Sequence, residues 1–431
     1  MDTKTSARPR VVIIGGGFAG LQLAKNLKNA PVDILILDKH NYHTFQPLLY
    51  QVAMGAIAAD SIVFPIRRIF TYQNNIRFNL AYVEKINAES NTVTTNIGEI
   101  HYDYLVVATG SDTNFFGNKE LETCVMPMKN MPEALNLRGL TLQHLEKALV
   151  TKDKEEKAAL MTFVVVGGGP TGVELSGALA EMRHLILDKD YHGLSKYDMT
   201  VYLVEGKDRL LAAMSAGASV KAKEFLEKDG VIIYNSVHVE SYDGLTLKID
   251  DGTVIKTRNV FWAAGVMGEV PEGMTDATMT RGSRIETDEV NRVKGYNNVF
   301  AIGDVAAILS EQYPNGHPGV APVAMQQGKH LAKNIVRIIN GKPTPPFKYH
   351  DKGTMATIGR NKAVVDIGKL HFQGFFAWLL WGFIHIMSLA GFANKASVFL
   401  TWAINYFTKN SDNRLIIRSF NRKTRMVEPE K

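Results

Sequence analysis

Twice in 431 residues the chain runs from an apolar strand into a glycine-rich turn and then into a helical pattern. The first passage is Val11-Val12-Ile13-Ile14 into Gly15-Gly16-Gly17-Phe18-Ala19-Gly20; the second is Phe163-Val164-Val165-Val166 into Gly167-Gly168-Gly169-Pro170-Thr171-Gly172. Each is followed by an apolar stretch that ends on an acid, Ile34-Leu35-Ile36-Leu37-Asp38 and Val201-Tyr202-Leu203-Val204-Glu205. A G-x-G-x-x-G alone is weak. Between strand and helix, with an acid at the next strand end, it predicts a dinucleotide whose pyrophosphate rests on the helix N-terminus. The glycines let the backbone approach the phosphates, and free N–H groups with the helix dipole stabilise their charge. The acid takes the ribose hydroxyls. The bland alternative, two tight turns that bind nothing, is the weaker for the doubling of the whole pattern. Two sites imply two dinucleotides, most economically a tightly held flavin and a diffusing nicotinamide.

Length and composition fit this reading. The chain is long enough for two or three domains, and 45% hydrophobic with 21% charged residues is ordinary for a globular protein. Met1–Arg10 is polar and lacks the apolar core of a secretory signal. The one cysteine, Cys124, excludes an intramolecular disulfide and a C-x-x-C redox pair. Electrons therefore leave the flavin directly for a soluble or lipid acceptor. The net charge of +6 gathers partly at the end, in Lys409, Arg414, Arg418, Arg422, Lys423 and Arg425. No nucleic-acid module accompanies the cluster. An anionic membrane surface and a solvated tail are its two readings.

Along the chain, residues 1–114 read as the first part of a dinucleotide-binding domain, 115–295 as the second such domain, and 296–346 as the return to the first. Residues 347–431 form a separate C-terminal region. Tyr42–Asp60, aromatic and without clear period, reads as a functional loop over the cofactor. The pattern predicts helices from Thr171 to about Leu187 and over Met325–Asn340, and a hairpin turn at Asp250-Asp251-Gly252. Ala356–Gly359 and Ala363–Ile367 read as paired strands. From Phe372 to Ala393 the chain is almost wholly apolar, and as one helix it would reach about 33 Å, enough to cross a bilayer. Gln373, His385 and Ser388 interrupt it, and Gly374, Gly382 and Gly391 weaken it. With Val398, Phe399, Trp402, Ala403, Tyr406 and Phe407 at helical spacing behind, the pattern favours two amphipathic helices lying on a membrane. A span and a buried dimer interface are the alternatives.

The sequences Tyr104-Leu105-Val106-Val107-Ala108-Thr109-Gly110, Val260-Phe261-Trp262-Ala263-Ala264-Gly265 and Asn298-Val299-Phe300-Ala301-Ile302-Gly303-Asp304 complete a pattern that resembles the two-dinucleotide-binding-domain flavoproteins. Within that group, His43-Thr44-Phe45-Gln46-Pro47-Leu48-Leu49-Tyr50-Gln51, Gly169-Pro170-Thr171-Gly172-Val173-Glu174-Leu175 and Ala321-Pro322-Val323-Ala324-Met325-Gln326 resemble the type II NADH:quinone oxidoreductases, nearly end to end. The resemblance implies an α/β fold of two Rossmann-like domains with a C-terminal amphipathic, membrane-anchoring helical region. It implies FAD at the first fingerprint, NADH as substrate at the second, and a membrane quinone as acceptor, without proton pumping. The FAD residues it implies are Gly15–Gly20, Asp38, Lys39, Gln46, Pro47, Val83, Ala108, Thr109, Gly110, Gly303, Asp304, Ala321 and Pro322. For NADH they are Gly167–Gly172, Glu205, Ala264 and Gly265. Attachment to the NADH-accessible, cytoplasmic face of a membrane, contact with its lipids, and a homodimer through C-terminal sequence follow from the same likeness.

Glu174 is the family's functional glutamate by this resemblance, positioning substrate or supplying a proton to quinone; read from its place near a helix N-terminus it compensates the dipole. Pro322 stands where some members carry glutamine, so Gln326 becomes the quinone-side candidate. Lys395 either pairs with Glu174 or snorkels to lipid headgroups. Glu205 fits NADH because a carboxylate repels a 2′-phosphate; Lys207 and Arg209 nearby read as an exposed turn. His40 and His43 fit loop packing, and no cluster has metal-ligand spacing. A reductase serving a small soluble electron-transfer protein, and a membrane-associated redox-sensing flavoprotein, are the competing functions. Sulfide-oxidising quinone reductases need a cysteine pair this chain lacks.

Overall fold

The structure, a computed structural model, describes residues 8–275, 277–409 and 413–416. Two five-stranded parallel sheets dominate it. The first is ordered Val299–Ala301, Tyr104–Val107, Arg10–Ile14, Asp33–Asp38, Ile76–Leu80; the second Met126–Pro127, Asn259–Trp262, Thr162–Val166, Thr200–Glu205, Val231–Asn235. Each fingerprint strand is central, with the acid-bearing strand on one side and the returning strand on the other. Ile14 thus lies beside Leu37 and Val107, and Val166 beside Val204 and Trp262. Both central strands are buried on both faces, as their unbroken apolar runs require.

An antiparallel ribbon, Ser111–Thr113 against Val266–Gly268, carries the chain between the units. The return to the first unit begins there and not at residue 296. Met274, Ile285 and Val293 already pack with Val12, Leu105 and Val299, and Arg284–Thr287 pairs with Ala306–Ile308. The second unit is therefore shorter than the expected 115–295. Strands of two to four residues mark the true return, too short for a sequence period to show.

Helix ends shift for local reasons. The second fingerprint helix spans Pro170–Leu185, with Pro170 in its first turn. The later helix spans Ala321–Ile339 and begins before Met325, because Pro322 also sits in a first turn, where a missing N–H costs nothing. The Asp250-Asp251-Gly252 turn joins antiparallel strands Thr246–Ile249 and Val254–Lys256 as expected.

The C-terminal region is a three-stranded antiparallel sheet, Thr354–Thr357, Ala363–Ile367 and Leu370–Gln373, followed by helices Phe375–Ser388 and Phe392–Thr408. The long apolar run is thus divided: it opens as a strand end and breaks at Leu389-Ala390-Gly391, where Gly391 takes φ +80°. Among the described residues no helix is long and apolar enough to cross a membrane. Ala377, Trp381 and His385, one turn apart, form the buried stripe of the first helix, and Ala377, Trp381 and Val398 join the main core with Tyr50 and Val165. The outer faces stay apolar and bare: Phe376 is 79% exposed, Phe392 87% and Phe407 83%.

Tyr42–Asp60 is not an irregular loop. It folds as strand Tyr42–Thr44, a 3-10 turn Gln46–Leu48 and helix Leu49–Ala53, and with the residues after it forms the seat of the last helix. Asn394 Nδ2 donates to the Val63 carbonyl at 2.8 Å, Asn405 Nδ2 to Ala56 at 2.9 Å, and Trp402 Nε1 to Gln51 Oε1 at 2.7 Å. Of the basic tail, Arg414 is turned inward onto Asp190, which removes it from any lipid contact. Arg418, Arg422, Lys423 and Arg425 lie outside the described residues, as do residues 1–7.

Candidate functional site

The first cradle is built from backbone constraint. Gly15 takes φ +107°, and a Cβ there would stand 2.3 Å from the Ala108 carbonyl oxygen; one on Gly20 would stand 2.0 Å from that of Gly15. Only glycine fits either place. Gly17, at the helix N-terminus, faces open space. Asp38 at the next strand end accepts the Gly16 N–H at 2.5 Å on one oxygen and the His40 N–H at 2.7 Å on the other. Burial raises its pKa against those bonds. Each carboxylate oxygen keeps a further lone pair for a ribose hydroxyl. Beside the acid, Lys39 Nζ holds Glu269 at 2.5 Å, and Thr109 Oγ1 donates to the Glu269 carbonyl. Val83 opens a strand close by, two residues after Ala81, whose N–H bonds the Asp38 carbonyl at 2.9 Å.

The second cradle repeats the first. Gly167 takes φ +110°, with a Cβ 2.4 Å from the Ala263 carbonyl oxygen; a Cβ on Gly172 would lie 1.7 Å from that of Gly167, and Gly169 faces open space. Glu205 accepts the Gly168 N–H on one oxygen and the Lys207 N–H at 2.7 Å on the other. Pro170 and Thr171 are exposed at the helix start. Arg209 is spent on the Ala212 and Met214 carbonyls, while the Lys207 side chain is exposed.

Where the units meet there is a cavity of about 490 Å³ whose walls include Ser111, Ala264, Gly265, Arg284, Asp304 and Gly319. Gly303, at φ +79°, lies so close to Ala19 that a Cβ would stand 3.2 Å from the alanine methyl. Its N–H donates to Gln327 Oε1 at 2.7 Å, and the Gln327 amide nitrogen is buried with no partner among the described residues. Asp304 accepts from Ser111 Oγ at 2.8 Å. A cradle that no side chain can fill, an aimed acid and a cavity at the junction of the units with Asp304 in its wall fit FAD at the first site.

Glu174 is the fifth residue of its helix, with no acid in the first turn, so dipole compensation does not account for it. Its carboxyl is buried, accepts the Thr357 N–H, and is pushed by burial up to about 8. Tyr50 lies close enough that Glu174 and burial together push its hydroxyl well up. Gln51 donates to Tyr50 Oη at 2.9 Å and accepts from Trp402 at 2.7 Å. A polar chain thus runs from beside Glu174 to the last helix, along a second cavity of about 140 Å³ whose walls include Tyr50, Gln51, Glu181, Thr357, Arg360 and Trp402. Glu181 pairs with Arg360 at 3.2 Å. Sequence reasoning quoted Tyr50 and Gln51 within a motif but missed their role; a glutamine inside a buried helix was the available signal.

Two expectations change. Gln326 does not face this cavity: its amide donates to the His350 carbonyl at 2.9 Å and accepts the His350 N–H at 3.0 Å, clasping the extended segment between the linker and the strand Thr354–Thr357. Pro322 sits in the first turn of its helix, where its missing N–H costs nothing. Lys395 does not pair with Glu174; Nζ donates to the Met387 carbonyl at 2.7 Å and caps the preceding helix. His43 is buried, with Nδ1 3.3 Å from the Gly16 carbonyl, and burial pushes it down to about 4. Among the described residues no His, Cys, Asp and Glu group could hold a metal.

Comparison with known proteins agrees with this geometry. Residues 9–328 match the pyridine nucleotide-disulphide oxidoreductase model, and 351–409 the NDH2 C-terminal domain. A type II NADH:quinone oxidoreductase of Mycobacterium tuberculosis is 38% identical over 420 residues, covering 93% of this chain and 89% of the relative; a second from that organism is 37% identical over 416 residues, covering 93% and 87%. The structure of NDH2 from Plasmodium falciparum in complex with NADH superposes with TM-score 0.87 at 20% identity, over 95% of this chain and all of that one, which shows the shared fold. The chain belongs to the type II NADH:quinone oxidoreductases, within the pyridine nucleotide-disulphide oxidoreductase family.

Proposed function

We infer that this chain is a FAD-dependent enzyme that passes two electrons from NADH to a membrane quinone. The observation that carries the reading is the pair of matched cradles joined at one cavity, with a buried acid on the far side of the junction. Bound FAD supplies the two-electron relay between the nicotinamide and the quinone. The rest falls to the chain. Gly167–Gly172 and Glu205 hold NADH, with Ala264 and Gly265 beside it. Gly15–Gly20, Asp38, Ala108–Gly110, Gly303 and Asp304 hold FAD. Glu174, neutral below about pH 8, holds a proton where quinone needs one, and Tyr50, Gln51 and Trp402 wall the approach from the C-terminal helices. The missing cysteine pair leaves no thiol relay, which separates this chain from the sulfide-oxidising relatives.

The bare outer faces of Phe375–Ser388 and Phe392–Thr408 support peripheral attachment to a membrane leaflet. Because the inner faces are part of the core, deletion of both helices also removes core. The cleaner test replaces Phe376, Phe383, Phe392 and Phe407 by serine; the variant is expected to keep FAD and leave the membrane fraction. For the reaction, anaerobic stopped-flow separates bleaching of the flavin by NADH from its recovery on adding a quinone. Recovery with a soluble iron–sulfur protein and none with quinone would overturn the reading in favour of the soluble reductase.

A further inference from the structure

Phe116 stands in a strained turn where the chain leaves the ribbon strand Ser111–Thr113 for the second unit. Its backbone is left-handed at φ +53°, which a bulky residue adopts only at a cost, and 66% of it is exposed. The turn is nonetheless held at several points. The Asn114 N–H donates to the Gly265 carbonyl at 3.0 Å, and Trp262 Nε1 donates to the Asn114 carbonyl at 2.9 Å. Asn114 Oδ1 accepts the Phe116 N–H at 2.7 Å. Phe115 stacks on Trp262 with 6.2 Å between ring centroids, and Phe116 stands edge-on to the same indole at 6.5 Å. The Phe116 ring comes down over Gly265, where a Cβ would stand 3.1 Å from its Cζ. A side chain at that position would push the ring away. Phe116 also lines the junction cavity, and it is the aromatic residue in that wall. A strained, firmly held and exposed aromatic ring in a cavity wall has the marks of a ligand contact.

Sheet order decides which part of a ligand passes there. In the second unit, the strand ending on Glu205 lies on one side of Thr162–Val166, and Asn259–Trp262 returns on the other. A dinucleotide whose pyrophosphate rests at Gly167–Gly169 lays its adenosine toward the acid. Its other half then crosses the end of the returning strand, over Ala264 and Gly265. The first unit has the same order, so the half of its dinucleotide away from Asp38 runs over Ala108–Gly110 toward Gly303 and Asp304. Both courses end at the junction cavity, whose walls carry Ser111 and Asp304 from one side and Ala264 and Gly265 from the other. We propose that Phe116 is the platform on which the nicotinamide half of NADH packs as it crosses Gly265. The ring gives a planar group apolar area to lie against and keeps water from one side of it.

The inference rests on the NADH reading of the second cradle, and its test separates the two. In the full-length holoenzyme, calorimetry gives the affinity for NAD+ and for ADP-ribose, which lacks the nicotinamide. The parent, Phe116→Gly, Phe116→Asn and Phe116→Tyr are compared, with FAD per chain and the melting temperature measured on the same samples. Phe116→Gly should bind NAD+ about tenfold more weakly and ADP-ribose as the parent does. Its melting temperature should not fall, because glycine takes the left-handed turn freely. Phe116→Asn, a residue type that also tolerates that region, should show the same pattern. Phe116→Tyr keeps the ring and should stay near the parent throughout. Unchanged NAD+ affinity in Phe116→Gly and Phe116→Asn overturns the proposal. Equal weakening of both ligands overturns it too, because Phe116 would then shape the whole cradle. So does loss of FAD, or melting several degrees lower, in both variants, because the ring would then be scaffold. A parent that binds neither NAD+ nor ADP-ribose overturns the NADH reading itself.

Discussion

The two cradles are near copies in their backbones and opposites in their surroundings. Each has a left-handed first glycine against the returning strand, a fourth glycine against the first, and an acid bonded to the second glycine's N–H. What differs is what lies on the helix each one opens. Helix Phe18–Asn26 is walled by Ala321–Ile339, where Gly328 comes so close that a Cβ would stand 2.4 Å from the Ala19 carbonyl oxygen. Helix Pro170–Leu185 instead touches the C-terminal sheet, with Gly177 packed against Gly359 and Ile358, and buries Glu174 beside Thr357. The first cradle is closed in by its own unit, as suits a resident cofactor. The second shares its helix with the C-terminal layer, so that in the proposed function one helix serves both substrates. Identical motifs acquire different tasks from the second face of the helix.

The largest effect should come from breaking the cradles one at a time. Alanine in a left-handed conformation costs about 1–2 kcal/mol before any clash, and both Gly15 and Gly167 add overlap with a carbonyl oxygen. Gly15→Ala should yield protein without FAD. Gly167→Ala should keep FAD while NADH bleaches it at least about tenfold less efficiently. Flavin absorbance per chain and stopped-flow bleaching read the two outcomes. Loss of FAD from Gly167→Ala would mean the cradles are not independent.

Next is Glu174→Gln, which keeps shape and removes the proton. A carboxyl at about 8 in the fold against an ordinary 4.5 gives stability that is full below about 4.5 and lost as the pH rises through about 8. The parent's melting temperature should therefore fall across that window relative to the variant's. Flavin recovery by quinone should slow about 100-fold in the variant, and its decline above pH 8, present in the parent, should vanish. A variant impaired only in bleaching by NADH would make Glu174 a nicotinamide-positioning residue and confine its helix to one substrate.

A smaller effect tests the acids. Asp38 and Glu205 hold equivalent bonds, yet in the proposed function only Glu205 meets a nucleotide that exchanges. Glu205→Gln should narrow the preference for NADH over NADPH by about tenfold in kcat/KM, or ~1.4 kcal/mol, with FAD content unchanged. Equal kcat/KM for the two nucleotides in the parent would remove the specificity role.

Both cradles were legible because each is local: strand, turn, helix and acid follow one another within about forty residues, while the strand that returns beside each was placed by resemblance. The two amphipathic helices were legible from aromatic spacing and interrupting polar residues. What sequence could not show is long-range. Tyr50 and Gln51 acquire meaning only when Trp402, 351 residues away from Gln51, closes on them. The early return at Met274 rests on contacts with Val12 and Val299. Gln326 and Lys395 were placed by resemblance; the first spends its amide on the N–H and carbonyl of His350 and the second its ammonium on the Met387 carbonyl, contacts that no motif reveals.

Gln326 gives the smallest effect and the finest discrimination. Its helix walls the first cradle, and its neighbour Gln327 holds Gly303, so this helix could reach quinone only if Gln326 swung away from His350. Gln326→Ala removes two hydrogen bonds to an exposed backbone, worth about 1–2 kcal/mol in all. Thermal melting should drop by a few degrees, while the quinone KM moves less than about twofold. Gln51→Ala, by contrast, cuts the link between Tyr50 and Trp402 and should raise the quinone KM several-fold, with NADH bleaching unaltered. The pair of variants therefore asks which helix layer faces the quinone. If Gln326→Ala raises the quinone KM and leaves melting unchanged, the wall of the first cradle is also a quinone wall, and the division of labour between the two fingerprint helices fails.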